Sequence, residues 1–181
     1  MTTKQEPLWI KRLVALGACG DAIEWARTQP DLATAWAVCD RGDRMLWFAG
    51  RVLPKDAHVT ERRSRERVRL VRAALACAQL AWPLVRVRDQ AVVQACYEAI
   101  QQWCDGNAPL SKVRAAADVV NAAAASAAYA AVLATYYAAY IAYALYATNA
   151  AAAAFTVART SVPAMCADIV RQHYPAPPEW P

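Results

Sequence analysis

Apolar residues recur every three or four positions along most of this chain. That is the spacing of helices that bury one face. No stretch alternates apolar and polar residues with the Val, Ile and Thr that strands favour. The pattern predicts an all-α fold: a single-domain bundle of about eight helices, short ones first and a long Ala/Tyr-rich helical segment near the C-terminus.

Punctuation residues set the expected boundaries. Pro7 precedes a first helix, "LWIKRLVALGAC", which Gly20 should end. Asp21 should cap "DAIEWART", and Pro30-Asp31 should open "DLATAWAVC". Gly42 is expected in the left-handed position after this third helix, with Asp43 capping a fourth. "LPKDAHV" reads as a loop. Thr60 should cap a long helix that stops near Pro83, Asp89 the next one and Ser111 the alanine-rich segment. Pro163 should open the last helix. The domain is expected over residues 1–174, with the proline-rich tail 175–181 extended and either loose or docked by Trp180.

The stretch "AWAVCDRGDRMLWFAGR", residues 35–51, is unusually dense in large and charged side chains. Trp36 and Cys39 fall at i and i+3, on one helix face. Met45, Leu46, Phe48 and Ala49 give the following helix its core side. Asp40 and Arg41 are expected at solvent or in ion pairs. "RGD" here reads as a helix boundary rather than an adhesion tripeptide. Trp36, Asp40, Asp43, Arg44 and Trp47 form a candidate turn motif.

This stretch resembles the signature of a bacterial family of helical immunity proteins, the immunity-protein-5-like family. "LVALGACGDAIEWA" resembles the family's opening and "RAALACAQLAWPLV" its middle helix. An Ala/Tyr-rich segment and "CADIVRQHYP" then follow in family order, so the resemblance covers most of the chain. Arg44 stands where the family often has an aromatic residue. The resemblance implies a small helical protein of bacterial or phage conflict that neutralises a toxin by binding it.

Composition narrows the classes. The chain is 58% hydrophobic with 7 Trp and 8 Tyr, which excludes a disordered protein. A net charge of +5 favours an anionic partner without giving a strong nucleic-acid signal. None of the six cysteines forms a C-x-x-C pair and only His58 and His173 are present, so no metal site is expected. The cysteines read as small apolar core residues of a reducing, cytoplasmic setting. "LGACG" is preceded by too short an apolar run for a lipoprotein signal. From Val119 to Ala158 there is no charged residue, but Ala, Tyr, Asn and Thr fill the segment. It reads as a buried helix or helix pair, not a membrane span.

Two stripes are candidate ligand or partner sites. Arg62, Arg65, Arg69 and Arg72 fall within about 80° of one helix face, opposite Leu70, Val71, Ala74 and Ala78. Such a row clamps a phosphate or carboxylate, or simply faces solvent. Tyr129, Tyr136, Tyr140 and Tyr143 fall within about 60°, flanked by Tyr137 and Tyr146. They suit either a core stripe or a pocket that stacks a planar group.

No catalytic or cofactor motif is present. Asp21, Asp31, Asp43 and Asp89 fall at expected cap positions, and a Cys39–His58 pair needs the fold to unite it. The sequence thus predicts a non-enzymatic binder without a cofactor. Its partner is a protein toxin or, alternatively, a small anionic nucleotide-type immune signal held between the Arg and Tyr stripes. The basic charge points away from a nuclease toxin, whose immunity proteins are often acidic. Alanine-rich faces also permit a homo-oligomer.

Overall fold

The computed structural model describes residues 6–53, 64–80, 82–85, 87–124 and 162–180. Every regular element among them is helical, as the periodicity predicts. Four short helices come first: α1 Leu8–Ala15, α2 Gly20–Arg27, α3 Leu32–Val38 and α4 Gly42–Arg51. Longer ones follow: α5 Arg65–Gln79, α6 Val87–Asp105 and α7 Leu110–Ala124, with a 3₁₀ turn at Trp82–Leu84 before α6. The last helix, α8 Val162–His173, packs against α4 and α5.

Several boundaries depart from the sequence reading. α1 ends at Ala15 with Leu16 at its C-cap, and Gly17, not Gly20, takes the left-handed conformation at φ +82°. Gly20 instead begins α2, so Asp21 lies in its first turn behind Cys19 at the cap. Asp31 does cap α3: its Oδ1 accepts from the Thr34 amide at 2.7 Å, and these bonds hold the carboxyl below its ordinary pKa. α5 starts at Arg65, where the Ser64 hydroxyl accepts from the Arg67 amide at 3.2 Å. Thr60 and the loop 54–59 lie outside the described residues. Asp89, Ser111 and Pro163 all fall one or two residues inside their helices. Gly106, at φ +85°, closes α6 as expected.

The end of α3 shows why the glycine rule failed there. Cys39 leaves the helix extended, at ψ 122°, and Gly42 is the first residue of α4 rather than a left-handed stop. The orphan carbonyls of α3 are taken from a distance. Arg171 of α8 donates through Nη1 to the Cys39 oxygen at 2.7 Å and the Trp36 oxygen at 3.3 Å. A guanidinium at a helix C-terminus satisfies both hydrogen bonds and dipole.

One core runs through the eight helices of the described residues. Met45, Leu46, Phe48 and Ala49 are buried, as are Leu70, Val71, Ala74 and Ala78. Five cysteines are buried and Cys19 is exposed; all six are free thiols. Burial pushes the Cys96 thiol up to about 12 and raises Cys39 as well. No helix among the described residues is long and apolar enough to cross a membrane.

Candidate binding cavity

The first four helices line a half-open cavity of about 280 Å³. Four indoles line it: Trp9 of α1, Trp25 of α2, Trp36 of α3 and Trp47 of α4. Local sequence explains this convergence. Helices of seven to ten residues are too short to bury much area individually. One large aromatic on each supplies that area, since a Trp side chain covers up to about 250 Å². Alanines between them leave the space that the indoles surround; Ala18, Ala22, Ala26 and Ala35 all lie in the wall.

The wall is mostly apolar, with a few polar groups. Asp43 is bound by Arg41, with Arg41 Nε donating at 2.9 Å and Nη2 at 2.6 Å. Arg44 forms no ion pair among the described residues; its guanidinium lies 5.8 Å from the centre of the Trp25 ring. Trp36 Nε1 donates to the Tyr174 carbonyl at 2.9 Å. Trp9 Nε1 is buried, and alone among buried side-chain nitrogens and oxygens of the described residues it has no hydrogen-bond partner. Buried donors without an acceptor are rare. The Cys39 thiol, also in the wall, donates to the Arg41 carbonyl at 3.6 Å and is kept neutral by burial.

The candidate turn motif therefore divides. Trp36, Asp43, Arg44 and Trp47 line the cavity, while Asp40 is exposed and does not. Sequence reading missed Trp9 and Trp25, which lie on other helices. The signal available was one tryptophan in each of the first four amphipathic segments. Of the two alternatives for the tail, loose or docked, Trp180 is docked: it meets Phe48 edge-on at 5.0 Å, and Arg12 lies 5.5 Å from the Trp180 ring centre.

The arginine stripe is placed differently. Arg69 Nε donates to the His173 carbonyl at the end of α8, and its guanidinium lies 4.4 Å from the Tyr174 ring centre. Arg72 pairs with Asp105 at the end of α6, at 2.7 Å. Arg65 is exposed, and Arg62 lies outside the described residues. Arg69 and Arg72 thus tie down helix ends of the chain itself. Tyr129, Tyr136, Tyr140 and Tyr143, with the flanking Tyr137 and Tyr146, lie outside the described residues, as does His58. No group of three or more His, Cys, Asp or Glu among the described residues is arranged to hold a metal ion.

No protein-family model, curated protein or solved structure matches this chain.

Proposed function

We propose that this is a non-catalytic binding protein of bacterial or phage conflict, and that it captures a small ligand in the α1–α4 cavity. The cavity with its four indoles is the observation that carries the reading. Concave, largely apolar spaces with a few polar groups are how proteins hold small molecules. The buried Cys39 thiol is neutral and the Asp43 carboxylate is bound by Arg41, so the open Cys19 thiol has no histidine or free carboxylate among the wall residues to activate it, which supports binding over catalysis. This moves the expected sponge-like activity away from the Arg stripe, because Arg69 and Arg72 already have partners.

Native mass spectrometry of gently purified protein tests it. A ligand-sized mass excess, lost on denaturation and lost in an Ala22→Phe variant that fills the cavity wall, is the expected result. A clean mass together with no thermal stabilisation by any small-molecule panel would sink it.

The second reading is neutralisation of a protein toxin by direct binding. It is supported by the resemblance of residues 35–51 and the flanking segments to helical immunity proteins. Co-purification with the product of an adjacent gene, and rescue of cells expressing that product, is its test. Failure of both would remove it.

A further inference from the structure

Resting on the cavity reading above, we infer that the ligand class is a small, flat aromatic anion. Its ring packs among the indoles and its anionic group faces Arg44. The inference comes from counting which polar groups of the wall are already satisfied.

Charge gives the sign. Two of the wall residues are ionised side chains, Asp43 and Arg44. Asp43 is neutralised by two nitrogens of Arg41, Nε and Nη2, at 2.9 and 2.6 Å. Arg44 has no carboxylate among the described residues, only the face of Trp25 at 5.8 Å. The net charge presented to a ligand is therefore positive. A carboxylate or phosphate is attracted, whereas an ammonium finds no free partner.

The indole N–H groups add no requirement: Trp36 donates to the Tyr174 carbonyl, and the Trp9 nitrogen is buried with almost no accessible surface, so neither presents a donor to the cavity. Shape gives the second requirement. Indoles favour flat rings, which stack on their faces or meet their edges. A protein cavity of roughly 150 Å³ takes up benzene. The 280 Å³ here suits one or two fused rings with a short anionic arm.

The chemistry is shared by aryl carboxylates and by purine nucleotides, so the probes separate them. Isothermal titration and thermal shift are run with indole-3-acetate, adenosine 5′-monophosphate, neutral indole and cationic tryptamine. The expected order places one of the two anions at least about 10-fold above indole, with tryptamine weakest; a charge-assisted bond is worth that ratio. Which anion leads names the source. Arg44→Gln should bring the anion down to the affinity of indole.

Indole binding as tightly as the anions, or an unchanged ratio in Arg44→Gln, overturns the aromatic-anion inference and leaves the cavity reading standing. Silence from every probe, beside a co-purifying mass that Ala22→Phe abolishes, does the same. Silence from every probe with a clean native mass overturns both.

Discussion

Gly42 of α4 lies directly against Cys166 of α8: a Cβ built on Gly42 would stand 2.5 Å from the Cys166 Cβ and 2.7 Å from the Ala167 backbone nitrogen. The glycine is there for close approach, not for a left-handed turn. Cys166 and Ala167 are fully buried, and a backbone nitrogen cannot swing aside. Gly42→Ala should therefore destabilise the fold by about 2 kcal/mol or more, as overpacked cores do. Urea denaturation monitored by tryptophan fluorescence reads it. A variant as stable as the parent would mean that α4 and α8 do not meet this closely.

Arg69 joins α5 to the end of α8 through the His173 carbonyl and the Tyr174 ring. Loss of the guanidinium in Arg69→Ala should cost about 1–2 kcal/mol, from a charge-assisted bond and a cation–π contact. Arg69→Lys should recover only part, because one ammonium does not reproduce the planar fork. Small-ligand binding in the α1–α4 cavity should be unchanged in either variant. A stability loss with intact binding separates a structural arginine from a phosphate clamp.

His173 gives the fold a pH dependence. Burial first, then the Arg69 and Arg72 charges, hold its pKa below the ordinary 6.5. The unfolded chain then binds this proton more tightly than the folded one. Its contribution is complete above the unfolded pKa and is lost as pH falls through 6.5 towards the lower folded value. The urea midpoint should thus fall between about pH 7 and about pH 5, and His173→Gln should flatten part of that slope. An unchanged slope would assign it to other groups.

Thiol chemistry reports the packing of the first helices. Cys19 is exposed and lines the cavity, whereas the other five cysteines are buried. Burial raises Cys39 and Cys96, and Cys77, packed beside Cys166, is raised well above its ordinary value. A disulfide reagent should titrate Cys19 quickly in the native protein and all six thiols only in denaturant. A cavity ligand should slow the fast phase. Rapid reaction of several thiols in the native state would contradict the buried core.

The all-α class, the core faces of α4 and α5, the Asp31 cap and the Gly106 stop were legible in the sequence. Each depends on neighbours within one turn, and periodicity and cap chemistry act over that range. The end of α3 was not legible, because its carbonyls are satisfied by Arg171, more than a hundred residues away. The same distance hid the role of Gly42, which answers to Cys166.

The candidate site divides along the same line. Trp36, Arg44 and Trp47 stood out because they crowd one short stretch. Trp9 and Trp25 join them only when α1 and α2 fold across that corner. The stripe of Arg69 and Arg72 was read correctly as one face of a helix, but what it faces is another helix's end. Sequence by itself determined which residues share a helix and which face of it is apolar, since 100° per residue is a local rule. Tertiary structure alone decided which charges are spent and which wall surrounds the cavity, because partners brought together across the chain are set by packing rather than by spacing.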